Sequence, residues 1–276
     1  MKSVFFVLKE NITNFQRTLS IAKYELIADM RDSKLGIVWN VLNPLIQIAT
    51  YWFVFGIILN RNRAVGISPN GYGISFLPWM VVGISVWFFI NPCIVKGCNS
   101  IFSKRKIISK MKFPVSILPA TVVMKELFSH IFMVILVLVI LILRGHKPDL
   151  MWFQILYYMF CAVCFAISLG LITSVLNMFS RDVKKLISAS MRMLMYLTPI
   201  LWEFKNLGAE FSQFKLLMKV NPLYYIVEGY RGSIFFHDSF LDHPAQTLFF
   251  WGFVIFLFIV GSTLMYRFKH KFIDML

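Results

Sequence analysis

Six stretches of the chain are almost continuously apolar. They cover about residues 36–59, 74–95, 115–143, 151–177, 187–202 and 247–266. About 20 apolar residues are enough for a helix to cross the hydrocarbon core of a membrane. The strands of a membrane barrel would instead alternate between apolar and polar positions, which these stretches do not do. The pattern predicts an all-α integral membrane protein with six transmembrane helices in a single domain, residues 1–276.

A segment before the first stretch has the pattern of an amphipathic helix. Within residues 11–34, apolar side chains recur at helical spacing along one stripe, namely Ile12, Phe15, Leu19, Leu26 and Met30. A helix of this kind can lie along the membrane interface, or it can pack only against its own protein. The sequence predicts the helix and leaves both positions open.

Two connections between the stretches also have structured patterns. Residues 99–114 mix basic and apolar side chains, which is typical of a loop that sets topology or of a short helix that docks on a partner. Residues 203–246 are too many for a plain connection. Two short helices that dip back into the outer leaflet would explain their apolar and aromatic side chains. Asn221 followed by Pro222 is typical of the start of the second helix.

The composition excludes an ordinary soluble domain. Hydrophobic residues make up 58% of the chain and charged residues 15%, whereas soluble domains have about 45–50% and about 25%. The net charge is +15, and most Lys and Arg residues fall on the side that holds both ends of a six-span chain. This bias predicts cytoplasmic termini. No basic groove interleaved with aromatic residues is evident, so nucleic acid is not an expected partner.

Polar side chains collect on one face of the first predicted span. Asn40, Asn43, Gln47 and Tyr51 fall on one stripe of the helix, and Trp39 borders it. Amide groups that face lipid are costly. The stripe therefore either joins helices to one another or lines a hydrated conduit, and the residues alone leave both interpretations open.

The sequence offers little support for catalysis. It lacks the G-x-x-x-x-G-K-[ST] loop that cradles nucleotide phosphates and the H-E-x-x-H zinc motif. Glu126 and His130 are spaced i,i+4 and could form an acid–base pair, although interfacial pairing is the simpler interpretation. Glu228 and Arg231 are spaced for a helical ion pair that anchors the segment. We expect no catalytic residue, no metal and no cofactor bound by this chain. A membrane-embedded transferase and an ion channel remain alternatives.

Four sequence motifs, in this order, resemble a known family. They are "SKLGIVWNVLNPLIQIATYWFVFG", "KMKFPVSILP", "FSRDVKKLI" and "NPLYYIVEGYR". Together they resemble the permease subunits of type-2 ABC exporters, in particular those that export lipid-linked polysaccharides. The form "NPLIQIATYWFVFG" looks closest to the permeases that translocate wall teichoic acid. The resemblance covers nearly the whole chain.

The resemblance implies a function and a set of partners. The chain would be the transport subunit of an exporter in the bacterial cytoplasmic membrane, with two copies pairing with two separate ATPase subunits that use ATP and Mg²⁺. The substrate would be a wall teichoic acid, or a similar polysaccharide, carried on a polyprenyl diphosphate. Export of O-antigen, of capsule or of a small molecule is the alternative within the same family.

The resemblance also implies roles for particular segments. Residues 11–34 would be the interface helix. Residues 99–112 would hold the coupling helix that contacts the ATPase, and 180–186 a second contact. The side chains expected at the ATPase are Phe102, Lys104, Arg105, Ile107, Arg181 and Asp182. Residues 205–235 would form the outer gate, with Phe211, Phe214, Tyr224, Tyr225, Glu228 and Arg231.

The conduit would lie between two permease copies, lined partly by the first and fifth helices. The expected lining residues are Trp39, Asn40, Asn43, Gln47, Tyr51 and Tyr196. Arg31, Lys34 and Arg192 would attract the diphosphate of the substrate at the cytoplasmic entrance. Trp, Tyr and Arg are also common interfacial anchors, so each of these side chains has that alternative role.

Overall fold

The structure, a computed structural model, describes residues 2–31, 34–58, 64–67, 73–108, 113–203 and 208–269. Most of these residues are helical. The α-helices are α1 (Lys2–Thr13), α2 (Phe15–Arg31), α3 (Trp39–Tyr51), α4 (Phe76–Cys98), α5 (Ser100–Ser103), α6 (Arg105–Ile108), α7 (Ile117–Leu143), α8 (Gln154–Phe179), α9 (Asp182–Leu197), α10 (Ser212–Val220), α11 (Pro222–Arg231) and α12 (Pro244–Phe268).

Shorter helical pieces extend several of these helices. The 3-10 turns are Gly36–Val38, Leu150–Phe153 and Ala209–Phe211, and the π-helical pieces are Trp52–Ile58 and Gly232–Phe236. Of the segments predicted from the sequence, residues 32–33, 59, 109–112 and 204–207 lie outside the described residues.

Among the described residues, four helices are long and apolar enough to cross a membrane. They are Phe76–Cys98, Ile117–Leu143, Leu150–Phe179 and Pro244–Phe268. These helices correspond to the second, third, fourth and sixth predicted spans. The first predicted span contains a shorter apolar helix, Leu42–Ile58. The coarse prediction of a helical membrane protein is therefore supported, while the count of six spans stays a prediction.

The helix near the fifth predicted span differs from the prediction at both ends. The prediction covered 187–202, whereas α9 runs from Asp182 to Leu197. It starts earlier because the charged residues after Arg181 still form helical turns. It ends earlier because Pro199 disfavours helical backbone at the preceding residue, and Thr198 is extended, with ψ at 137°.

The N-terminal region is more helical than predicted. The helix predicted over residues 11–34 is found as two helices, α1 and α2, separated at Asn14. The Asn14 side chain donates to the Glu10 carbonyl at 2.8 Å. Asparagine side chains that bond locally in this way compete with the helical backbone. The sequence pattern did not predict the helix over residues 2–10. This helix is held by packing on α12, since Val7 is buried and the Phe6 ring meets Tyr266 edge-on at 5.4 Å.

A two-stranded antiparallel hairpin departs from the all-α prediction. Strands β1 (Ala64–Ile67) and β2 (Gly73–Ser75) lie between the first apolar helix and α4. Ile74 is buried between two exposed neighbours, which is the alternation of a half-buried strand. The strands are too short for this period to be recognised in the sequence.

The long helices divide into interior and peripheral ones. We compared the share of residues that are buried in the most apolar stretch of each helix. This share is 78% for α4 and 67% for the helix that contains α8, but only 22% for α7 and 28% for α12. The outward face of α7 carries exposed Phe128, Phe132, Ile135 and Val139. An apolar surface of that kind is stable against lipid and not against water. The packing is that of a bundle built around α4 and α8, with lipid-facing helices outside.

The segment after α9 folds back onto this bundle. Asn221 caps α11 by accepting a hydrogen bond from the Leu223 backbone N–H at 3.0 Å, and Pro222 occupies the first turn. This is the helix start that the two residues predict. Helix α11 packs against α4 and α8 and buries Ile226 and Tyr230. The predicted placement of this segment in the membrane is not tested by the helix bounds.

Candidate functional site

A polar cavity of about 460 Å³ lies beside α3. Helices α3, α4, α7 and α9 form its walls. Its lining includes Trp39, Asn43 and Gln47 of α3, Trp87, Asn91 and Lys96 of α4, Glu126, Ser129 and His130 of α7, and Met195 of α9. Two side chains of the predicted polar stripe, Asn43 and Gln47, therefore face the cavity, together with Trp39, which borders the stripe. The side chain of Asn40 lies outside the described residues.

One ion pair lies at this cavity. Lys96 Nζ is 2.7 Å from Glu126 Oε1, and the side chain of Lys96 is 55% exposed while that of Glu126 is only 12% exposed. A mostly buried carboxylate needs such a partner, because an unpaired charge in this environment is costly. The pair leaves the cavity wall polar without giving it a net charge.

The acid–base pairing of Glu126 with His130, considered from the spacing, is not the arrangement found. His130 is buried, and its Nε2 shares a hydrogen bond of 2.9 Å with the Tyr230 hydroxyl. The ring also stacks on Phe89 at 4.6 Å. His130 thus connects α7 to α11, and its partners were invisible to spacing because they come from other helices.

Helices α3 and α9, which belong to the first and fifth predicted spans, meet at Tyr51 and Met195. The Tyr51 hydroxyl donates to Met195 Sδ at 3.7 Å. Tyr196, the next residue of α9, is 60% exposed, and its backbone carbonyl accepts a hydrogen bond from Trp202 Nε1 at 2.8 Å. Tyr51 therefore points toward α9, while the Tyr196 ring points away from the interior.

The three basic residues predicted at the entrance lie on separate elements. Arg31 ends α2, Lys34 lies between α2 and α3, and Arg192 lies within α9; all three are exposed. Exposure agrees with a role in attracting an anion as well as with a role as an interfacial anchor. Their proposed contact with a diphosphate stays a prediction.

The two segments predicted to contact an ATPase lie next to each other. The Phe102 ring of α5 is covered by the Arg105 guanidinium at 4.2 Å and by that of Arg181 at 4.8 Å. Each contact is a cation–π interaction. Among the other predicted side chains, Ile107 is 46% exposed, and Asp182 pairs with Lys185 at 2.9 Å. Phe102 thereby joins the segment 100–108 to the start of α9.

Two further ion pairs tie α2 to this region. Lys104, between α5 and α6, pairs with Glu25, and Lys125 of α7 pairs with Asp29 at 2.6 Å. Glu25 and Asp29 are one helical turn apart on α2, so both carboxylates point to the same side. A second cavity, of about 500 Å³, lies among these four residues. Helix α2 is thus linked both to the segment 100–108 and to a long apolar helix.

Arg231 is the most buried charged group among the residues predicted for the outer gate. Its side chain is 0% exposed and pairs with Glu228 at 2.7 Å, as the i,i+3 spacing predicts. The guanidinium also donates to the carbonyls of Trp79, Pro199 and Ile200, and lies 3.4 Å from the centre of the Trp79 ring. Arg231 therefore joins α11, α4 and the break that follows α9.

The aromatic residues of the outer segment differ in their surroundings. The Tyr225 hydroxyl shares hydrogen bonds with Tyr157 at 3.1 Å and with Thr247 at 3.0 Å. The Phe214 ring stacks on Trp202 at 6.3 Å. Tyr224 is half-buried and Phe211 is exposed. Tyr225 is thus part of the packed interior, whereas the Phe211 side chain lies on the surface.

Long apolar helices around a polar cavity define a helical membrane protein with several membrane-embedded segments. Comparison with protein families adds a class. The family described as ABC-2 type transporter matches residues 16–235, and the chain belongs to this family. The match includes α2, the cavity and the outer segment up to Phe235.

Curated relatives extend the similarity to most of the chain. An O-antigen export system permease protein RfbA of Klebsiella pneumoniae is 27% identical over 263 residues, which is 95% of each chain. The protein of the same name from Myxococcus xanthus is 25% identical over 232 residues, which is 83% of this chain and 84% of the relative.

Proposed function

We propose that this chain is the membrane subunit of an ATP-driven exporter that moves a lipid-linked polysaccharide across the cytoplasmic membrane. Family membership supports the transporter class. The names of the relatives support a polysaccharide as the cargo. The geometric observation that carries the proposal is the cavity whose wall contains Asn43 and Gln47 together with aromatic side chains.

The proposed topology has six membrane-spanning segments and cytoplasmic termini. In it, the helical stretch of 36–58 is the first span and α9 the fifth, while α10 and α11 re-enter from the outer side. Two copies of the chain assemble with two ATPase subunits, and the conduit forms where the copies meet. The charge bias of the sequence supports this orientation, and the contact between Tyr51 and Met195 supports the pairing of the first and fifth segments.

The proposed energy coupling runs through the segment 100–108. ATP and Mg²⁺ bind to the partner subunits, which close on each other and displace the docked segment. The displacement passes to α9 through the contacts of Phe102, and to α2 through the pair of Lys104 and Glu25. The conduit beside α3 then opens, and the polar head of the substrate passes along the amide groups.

The identity of the polymer is the finer part of the proposal. The motifs of the first span resemble those of teichoic acid permeases, whereas the curated relatives are named as O-antigen permeases. The O-antigen interpretation fits at least as well. We therefore propose a polyprenyl-diphosphate-linked polysaccharide of the O-antigen type, with teichoic acid as the alternative polymer. Analysis of the lipid-linked polymer that accumulates when the chain is depleted would distinguish the two polymers, because a teichoic acid has phosphate in every repeat.

The role of the cavity can be tested by removing its amides. We expect the double variant Asn43→Leu and Gln47→Leu to reduce polymer export at least about tenfold, because a polar substrate would lose hydrogen-bonding partners in a desolvated path. The control is Gln16→Leu, which removes an exposed amide of α2. Export would be measured as polymer on the cell surface, normalised to the amount of chain in the membrane. Normal export by the double variant would contradict the role of the cavity.

A further inference from the structure

An apolar groove runs between α3, α4 and α7 toward the end of the bundle that carries the hairpin. Its volume is about 150 Å³. The groove is lined by Leu45 and Ile48 of α3, Leu77, Pro78 and Val81 of α4, and Met133, Leu136, Val137, Ile140 and Leu141 of α7, and it ends at Arg144. This small volume suits a stretch of one hydrocarbon chain rather than a whole lipid.

A basic cavity of about 300 Å³ adjoins the end of this groove and shares Pro78 and Arg144 with it. Lys147, His146 and His237 also line it. In the described part of the chain, neither Arg144 nor Lys147 has a carboxylate within 4.0 Å, whereas His237 lies 3.4 Å from Asp149. Burial lowers the pKa of the His146 imidazole, so the positive charge of the cavity comes from Arg144 and Lys147.

The end of α7 fixes these basic residues in place. The backbone N–H of His146 donates to the Leu141 carbonyl at 3.1 Å, and that of Gly145 donates to the Ile142 carbonyl at 2.9 Å. These are the two bonds of a Schellman motif, which requires left-handed backbone at its glycine. Gly145 has φ at +89°. The motif turns the chain so that Arg144 and His146 both border the cavity.

The length of the groove matches one half of a bilayer. The stretch from Met133 to Arg144 rises about 16 Å at 1.5 Å per residue. Half of a hydrocarbon core of about 30 Å is about 15 Å. A chain that lies in the groove would thus extend from the middle of the membrane to the level at which lipid phosphates are found.

We propose that the groove and the basic cavity together bind one phosphate-headed membrane lipid. Its phosphate lies on Arg144 and Lys147, and one of its acyl chains lies along Val137, Ile140 and Leu141. Guanidinium groups bind phosphate with paired hydrogen bonds. In the topology proposed above, on which this assignment of the leaflet rests, this end of the bundle faces outward, so the ligand is a phospholipid of the outer leaflet. The groove meets the polar cavity at Met133, whereas the basic cavity at its other end shares no lining residue with the polar cavity. The proposed lipid site does not depend on the transported polymer.

The test measures retention of phosphatidylglycerol by the full chain, purified with its partner subunits, using native mass spectrometry. We expect Arg144→Gln and Ile140→Trp each to weaken binding about tenfold, since the first removes charge-assisted hydrogen bonds and the second fills the groove. Lys219→Gln and Val139→Trp are the matched controls. Both residues are exposed, and neither lines the groove or the basic cavity. Both controls should bind as the unaltered chain does.

Three results would overturn the proposal. Unchanged lipid binding by the Arg144→Gln variant would show that the lipid phosphate does not lie on Arg144. Competition by inorganic phosphate, with no effect of Ile140→Trp, would indicate a site for free phosphate rather than for lipid. A change of oligomeric state in Ile140→Trp, without a change in lipid retention, would assign the groove to a second copy of the chain. Melting curves for each variant would confirm that the protein remains folded.

Discussion

Arg231 has a full positive charge in the interior, and the residues around it are arranged to hold that charge. Its guanidinium donates to Glu228 and to the carbonyls of Pro199 and Ile200. A buried cation without such partners would destabilise the fold by several kcal/mol. Gly83 of α4 lies directly beneath the group, and a Cβ there would lie 2.2 Å from a guanidinium nitrogen. The small residue and the buried charge therefore depend on each other.

This dependence predicts the effect of Gly83→Ala. The guanidinium cannot move aside without losing its hydrogen bonds, so we expect destabilisation of about 1–3 kcal/mol, as for other overpacked interiors. Gly252→Ala is the control, because nothing lies within 4 Å of the added methyl group in α12. Thermal unfolding of the purified chain would measure both. Equal melting temperatures for Gly83→Ala and the unaltered chain would show that Arg231 can rearrange freely.

Sequence reasoning reaches only part of this arrangement. The i,i+3 spacing of Glu228 and Arg231 predicts their ion pair, which the structure contains. The remaining partners, Trp79, Pro199 and Ile200, lie 152, 32 and 31 residues away along the chain. Spacing along one helix carries no information about such contacts. The same limit explains why Lys96 was not recognised as the partner of Glu126.

At the scale of elements, the segment 100–108 and the start of α9 form one surface around Phe102. If this surface contacts the ATPase, Phe102→Ala should loosen both basic residues at once. We expect the amount of ATPase recovered with the chain to fall several-fold, while the amount of chain in the membrane stays the same. Phe153→Ala is the control, because Phe153 is also an aromatic residue, is 70% exposed and precedes α8 at the other end of the bundle. Unchanged recovery of the ATPase would contradict docking at Phe102.

The ion pair of Lys104 with Glu25 predicts that α2 moves together with this surface. We expect Lys104→Glu to lower polymer-stimulated ATP hydrolysis by the assembled complex, because two carboxylates would then repel each other. Adding Glu25→Lys restores an opposite pair and should restore most of the activity. This double-mutant cycle isolates the coupling between the two residues. A double variant no more active than Lys104→Glu would show that the pair does not transmit the motion.

The elements that the sequence predicted best are those with the longest apolar patterns. The second, third, fourth and sixth predicted spans match helices of the structure to within a few residues. The end of α9 was missed, although Pro199 marked it, because apolarity continues to Trp202 beyond the last helical residue. Helix α1 was missed because its stability comes from packing on α12, which a local pattern does not reveal.

At the scale of the whole molecule, the buried helices α4 and α8 form the centre of the bundle, and a polar cavity lies between α4 and the neighbouring helices α3, α7 and α9. The sequence predicted the face of α3 that borders this cavity, because amides on one stripe of an apolar helix need a polar neighbour. The sequence did not determine whether that neighbour was another helix or a cavity, because a helical wheel shows the faces of one helix and not what packs against them. The structure places Asn43 and Gln47 at a cavity.

Polymer translocation in inside-out membrane vesicles that contain the chain and its ATPase would test the proposed export function directly. After ATP is added, lipid-linked polysaccharide on the outside of the vesicles should become protected from a membrane-impermeant glycosidase. Vesicles with the double variant Asn43→Leu and Gln47→Leu should show little protection, and vesicles without the chain none. Equal ATP-dependent protection in vesicles that lack the chain would contradict its role as the export permease.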